Sequence, residues 1–174
     1  MKWIDRKFEF DFPVDVYPEL IERLDSTPNS LKALIMDLPR QVLTQKFLGN
    51  WSIQENAGHL ITVENLFLGR LDDYEAGSKE LRPAKVDGSR TNAAVYNEWQ
   101  IDKILAEFEF KRNHYLSRLK NHKPEFFGKV SWHPRLAKPM RVCDMLYFQA
   151  EHDDHHIVKI QDLKTQLLKQ RKES

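Results

Sequence analysis

Apolar residues recur at spacings of three and four along several long stretches, and no stretch shows the strict two-residue alternation, rich in Val, Ile and Thr, that marks a half-buried strand. The pattern predicts an all-α protein. A first helical stretch carries Tyr17, Leu20, Ile21 and Leu24, then Leu31, Leu34, Ile35 and Leu38, with a break or kink expected at Pro28, which has no amide hydrogen. Beyond Gly49-Asn50, Ser52 is followed three residues later by Glu55, the pattern of a capping box. A second helix should start there and run through Ile53, Ala57, Leu60, Ile61, Leu68 and Leu71 to about Asp73, before Gly77-Ser78 ends it. Ser78 to Arg90 is polar, contains Pro83 and Gly88, and reads as an exposed connection. The helical period returns from Asn92 to Leu119 through Val95, Trp99, Ile104, Leu105, Phe108 and Tyr115. Pro124, Gly128, Pro134 and Pro139 punctuate the next stretch, after which Val142, Met145, Leu146, Gln149, His152, His156, Ile160, Leu163 and Leu167 form a fourth helical seam from about Arg141 to Leu168. Lys169 to Ser174 is expected to fray. Four amphipathic helices suffice for a four-helix bundle, expected as one domain over 1–174 with its core at about 14–168.

Charge narrows the partners. Lys and Arg number 27 against 26 Asp and Glu, so no global basic field exists to hold nucleic acid, and the basic clusters at Lys120–Lys123 and Lys169–Lys172 are too short to supply one. The single Cys143 cannot close an internal disulfide, Met1 to Phe12 mixes charged with apolar residues unlike a signal peptide, and no apolar run is long enough to span a bilayer. A cytoplasmic protein with neither nucleic-acid nor membrane partners is expected. A long apolar bundle face also leaves room for a homodimer.

The chemistry concentrates in Glu151-His152-Asp153-Asp154-His155-His156. His152 and His156 stand four apart, so they stack on one helix face, and that face is the apolar seam. Two buried imidazoles need partners, and two neutral rings at this spacing can share a divalent cation. Histidines so spaced also occur on exposed helix faces, so the pair alone leaves both readings open. His59, one turn beyond Glu55 on the seam of Asn56, Val63 and Phe67, is the natural third ligand. Three imidazoles would leave open positions on the ion for water or substrate, as catalytic sites do.

These residues carry a resemblance. Trp51-Ser52 with Glu55 and His59-Leu60, followed by His133-Pro134-Arg135-Leu136, by Met145-Leu146-Tyr147-Phe148, and by His152 with His156, is similar in order and spacing to the DinB/YfiT-like superfamily of metal-binding four-helix bundles, over roughly Val16 to Leu163. The resemblance implies an up-down-down-up bundle and one divalent ion, zinc or nickel, on His59, His152 and His156. It also implies an enzyme acting on a small-molecule substrate, either a transferase or isomerase using a low-molecular-weight thiol, or a metal-dependent hydrolase. The alternative is a non-catalytic, stress-related bundle that binds a metal or ligand. One departure falls in the His133 motif, where similar proteins have Gly near Ala137.

Other residues divide between chemistry and structure. Glu64, Asn56 and Gln149 lie close to the ligand seam and are candidates to hold a water or a polar group of a substrate. Asp153 and Glu55 are candidates to orient a ligating ring, although a solvated face accounts equally for Asp153 and Asp154, and capping accounts for Glu55. His155, about 100° around the helix from His156, is expected at the edge of the seam. Cys143 is expected as a small buried hydrophobe. Trp51, Trp99, Trp132, Phe126, Phe127, Tyr147 and Phe148 are expected in the core or as pocket walls, and His114 and His122 are expected to face water.

Overall fold

The computed structural model describes residues 3–84 and 93–173. Among these residues five helices, α1 (Tyr17–Ile35), α2 (Arg40–Thr44), α3 (Ile53–Glu75), α4 (Ile101–Lys120) and α5 (Val142–Glu173), stand with one antiparallel hairpin, β1 (Val130–His133) with β2 (Lys138–Arg141), and short 3-10 turns. The four long helices form a square in which α1 packs on α4 and α5, and α3 packs on the same two. Cross-helix pairs give the directions. Arg23 meets Glu151 and Lys164 meets the Leu34 carbonyl, so α1 and α5 run parallel. Glu64 meets Arg112 and Glu75 meets Arg118, so α3 and α4 run parallel, whereas Asn56 with His156 and Glu64 with Gln149 set α3 against α5. The order is up-down-down-up.

Pro28 does not break α1. The helix is continuous across it, and Pro28 itself is buried. A proline inside a helix deprives the carbonyl four residues earlier of its donor. That carbonyl belongs to Leu24, and Arg112 Nη1 donates to it at 2.7 Å, which removes the cost of leaving it unpaired in the core. Helix α3 starts as its sequence requires: Ser52 Oγ accepts from the Glu55 amide at 3.0 Å, and Glu55 Oε2 accepts from the Ser52 amide at 2.6 Å. Gly77, at φ +68°, follows its C-terminus in the left-handed conformation that commonly closes helices.

Elsewhere the structure corrects the periodicity. The third long helix begins only at Ile101; Ala93–Glu98 is a 3-10 turn that leaves Val95 exposed, because Gln54 Nε2 and Arg40 bind the carbonyls of Tyr96, Asn97 and Trp99 and hold that backbone outside the helical ladder. The fourth helix does not fray after Leu168 but continues to Glu173. The hairpin has no alternating sequence to announce it. Short strands punctuated by Pro134 and Pro139 carry too few positions for a period to show, and Trp132, read as core, lies exposed on the outer face. Nor is the connection after α3 exposed throughout: Trp132 donates to the Lys79 carbonyl and Leu81 donates to the Trp132 carbonyl, both at 2.9 Å, which lays this segment along β1 and buries Leu81. The rest of that expected connection, 85–90, lies outside the described residues. Packing also reaches back before residue 14, where Trp3, Phe8, Phe10 and Phe12 form a chain of ring contacts onto Tyr147 and Phe148 of α5.

Ala137, at φ +50°, occupies the left-handed region in the turn between β1 and β2. An L side chain costs roughly 1–2 kcal/mol there, part of which glycine's extra freedom in the unfolded chain offsets. Ala137→Gly should therefore stabilise the protein by up to about 1 kcal/mol. The check is the urea midpoint at unchanged slope, and a lower midpoint would refute the strain.

Candidate metal centre

The centre lies where the first turns of α3 cross the middle of α5. The capping box and the Gln54 anchor fix the start of α3, and two turns into the helix His59 projects toward α5, where His152 and His156 stack. Ring nitrogens of His59, His152 and His156 all lie within 4.8 Å of one another. His59 Nε2 and His152 Nε2 stand 3.3 Å apart. Two nitrogens bound at about 2.0–2.1 Å to one tetrahedral ion are separated by about 3.3–3.4 Å, so the spacing fits a shared cation. His152 and His156 are buried, and their rings and that of His59 pack at centroid distances of 4.6–5.2 Å. Burial and the neighbouring rings push His59 down to about 3 and His156 well below its ordinary value. Neutral imidazoles at neutral pH are the form that ligates.

A neighbouring amide sets the orientation of His156, while Nδ1 of His59 and of His152 is buried without a hydrogen-bond partner. Asn56 Nδ2 donates to the Ser52 carbonyl at 2.8 Å, which turns Asn56 Oδ1 toward His156 Nδ1, 2.9 Å away. The proton of His156 therefore belongs on Nδ1, leaving Nε2 with a free lone pair. Asn56, a candidate for handling water or substrate, is thus a positioning residue for His156. Trp51 covers the site, with its ring 5.0 Å from His59 and near-parallel to His156 at 6.3 Å. Trp3 meets His152 edge-on at 5.1 Å. Neither the aromatic arm nor its reach to the site carries a helical period, so only its run of aromatics at positions 3, 8, 10 and 12 could have drawn attention to it.

The carboxylates fall into place differently from their sequence reading. Glu64 accepts from Arg112 Nε and Nη2, both at 2.9 Å, and from Gln149 Nε2 at 3.0 Å. Its oxygens are committed, so it is not free to hold a water, and Gln149 spends its amide nitrogen on Glu64. Asp153 is not on a solvated face: it is buried, accepts from Arg112 Nη2 at 2.7 Å and stands 4.0 Å from His152 Nδ1. Burial alone would raise both acids; Arg112 and His152 hold Asp153 below the ordinary range, while burial prevails at Glu64. Glu55 belongs to the cap, where Oε2 accepts from the Ser52 amide and Oε1 pairs with Lys46 at 3.0 Å. Asp154 does face outward and pairs with Arg23. Arg112 is the residue that the sequence reading missed. Its signal was an arginine on the seam of Phe108, Tyr115 and Leu119.

His155 lies beside His156, half-buried against Trp3. Cys143 is buried, and burial raises its thiol to about 11, so it stays protonated and inert. His114 is exposed, but His122 is not simply in water: it stacks on Phe126 at 3.6 Å and meets Glu75 at 2.9 Å. Beside Trp51 and Asn56 a groove of about 570 Å³ opens between Phe47–Gly49 and the Lys159–Gln166 face of α5.

The DinB superfamily profile matches residues 23–159. No curated protein matches the chain. Among solved structures, that of YfiT from Bacillus subtilis, described as a probable metal-dependent hydrolase with an unusual four-helix bundle topology, is similar with a TM-score of 0.81 at 16% identity, covering 93% of each chain.

Two outcomes follow from the electrostatics. Arg112→Met strands two buried carboxylates and should cost about 3–5 kcal/mol, read from urea unfolding; a loss under 1 kcal/mol would show that the network contributes nothing. His59 and His133, both held down to about 3 when folded, bind protons more readily in the unfolded chain. Their contribution is complete above about pH 6.5 and is lost as the pH falls toward 3. The urea midpoint of chelator-treated protein should fall from pH 7 to 4, less steeply in His133→Gln; identical slopes would contradict the assignment for His133.

Proposed function

The chain belongs to the DinB superfamily, and from that membership we propose that it is a divalent-metal-dependent enzyme whose ion is held by His59, His152 and His156. The observation that carries the reading is the convergence of three imidazoles on one point with no fourth His, Cys, Asp or Glu among the described residues joining the cluster. A divalent ion held by three imidazoles, zinc or nickel by ligand preference, lowers the pKa of a water or thiol bound at its open position and so supplies a nucleophile near neutral pH.

The protein's own groups divide the remaining work. Asn56 fixes the His156 tautomer, and Arg112, through Asp153, holds the turn of α5 that carries His152. Cys143, buried and protonated, offers no protein thiolate, and Glu64 and Asp153 are engaged by Arg112. The nucleophile therefore comes from outside the chain, as water in a hydrolase of the kind described for YfiT, or as a small thiol in a transferase. Trp51 and Phe47 provide an apolar wall and Lys159 a cation for a small-molecule substrate in the adjoining groove.

Elemental analysis of untagged protein should find about one divalent ion per chain, absent from His59→Ala, His152→Ala and His156→Ala. Asn56→Leu should keep the ion with about 10–100-fold weaker affinity. Hydrolysis of activated esters or amides, or thiol conjugation, should stop on chelation and return with zinc or nickel. Metal-free wild type that takes up neither zinc, nickel nor manganese would overturn the reading.

A further inference from the structure

An imidazole that turns about its outer side-chain bond no longer aims a lone pair at a shared ion, so each ring of a three-His centre has to be held in one orientation. For His156 that hold is the Asn56 hydrogen bond. His152 lacks one. Its Nδ1 is buried without a hydrogen-bond partner, and Asp153 Oδ1, at 4.0 Å, lies beyond hydrogen-bond reach. Packing must therefore set this ring.

The packing partner comes from the start of the chain. Trp3, in the 3-10 turn Trp3–Asp5, meets His152 at 5.1 Å with the ring planes 83° apart, and it lies 5.6 Å from His155. Trp51 covers His59 and His156, so the two indoles between them cover all three rings. Trp3 is itself braced, by Phe8 at 5.1 Å and Phe148 at 5.2 Å. The Arg6 guanidinium lies 5.7 Å from the Trp3 ring and pairs with Glu151, the residue before His152. Farther along, Lys138 Nζ donates to the Phe8 carbonyl at 2.6 Å, and Arg141 Nη2 donates to the carbonyls of Phe10 and Phe12 at 3.1 and 3.0 Å. These bonds grip the main chain, so they fix the course of the arm independently of its side chains. Phe8 is buried in the core, whereas Trp3 is only half-buried and spends part of its contact on two histidines. The whole arm precedes residue 23, where the match to the superfamily profile begins.

We propose that Trp3 is a positioning residue of the three-His centre, whose ring fixes the His152 imidazole in the orientation that faces His59 and keeps water from it. The inference rests on the metal reading above and adds to it a residue from outside the matched stretch. In the orientation held by Trp3, His152 Nε2 stands 3.3 Å from His59 Nε2. Rings packed edge to face resist rotation, because turning one drives its edge into the other. A cover that excludes water also strengthens the attraction between the ligand dipoles and a cation.

Competition against a chromogenic chelator measures the zinc affinity of the full chain at neutral pH. Trp3→Ala should bind zinc about tenfold more weakly, and Trp3→Phe, which keeps an aromatic ring, should restore much of the loss. Phe12→Ala removes an arm ring that packs on Phe10 and Tyr147 rather than on a histidine; it should lower the urea midpoint and leave zinc affinity unchanged. Carbethoxylation of chelator-treated protein, mapped by mass spectrometry, reads the cover without any metal. His152 should react faster in Trp3→Ala than in wild type or Phe12→Ala. Equal zinc affinity in Trp3→Ala and wild type overturns the proposal while leaving the metal reading intact. An equal loss of affinity in Phe12→Ala also overturns it, since the arm would then be a general stabiliser. Wild type that takes up no zinc, nickel or manganese overturns the metal reading and the positioning role with it.

Discussion

A proline in α1 leaves the Leu24 carbonyl without a helical donor in the middle of the bundle, and Arg112 of α4 fills that place while gripping Glu64 of α3 and Asp153 of α5. One guanidinium thus touches all four long helices. Its donors are directional and lie in one plane, so the helices can satisfy it in only one register. That register fixes the height of α3 against α5, and with it whether His59 arrives level with His152 and His156. Apolar packing around Leu24, Phe67, Phe108 and Leu146 would tolerate a slide along the helix axes far better than these hydrogen bonds do.

The same network explains why carboxylates on the ligand seam contribute no chemistry of their own. Glu64 and Asp153 spend their oxygens on Arg112 and Gln149, and the single guanidinium leaves one negative charge behind the rings, which favours a bound cation. Asn56 adds what charge cannot, a fixed proton position on His156. Of the three ligand rings only His156 is hydrogen-bonded from behind, by Asn56, and that residue and Trp51 also line the groove.

How much of this was legible in the sequence depended on how local the cause was. The existence of four long helices, the Ser52–Glu55 cap and the alignment of His152 with His156 follow from spacing within one element and stand as read, while helix ends and the course of α1 through Pro28 did not. Roles set by partners far along the chain did not show. Glu64 and Asp153 looked available because nothing local betrays Arg112, and Pro28 looked disruptive because its compensation is the bond between Leu24 and Arg112, which stand 88 residues apart. The hairpin escaped because four-residue strands cannot display a period. The Ala–Gly departure at 137 was visible, and its meaning, a left-handed turn residue, needed the backbone.

The path of the chain through the square has a kinetic corollary. Helices α1 and α3 face each other across a diagonal, as do α4 and α5, while the consecutive neighbours α3 and α4 run parallel. No two long helices adjacent in sequence therefore form an antiparallel hairpin. The fastest-folding helical proteins begin from such local pairs; here each productive contact requires a distant segment to return first, so the entropy of closing long loops falls before any reward. Assembly of this bundle is governed by chain connectivity more than by helix propensity, and its rate belongs with mixed folds of higher contact order rather than with simple up-and-down bundles.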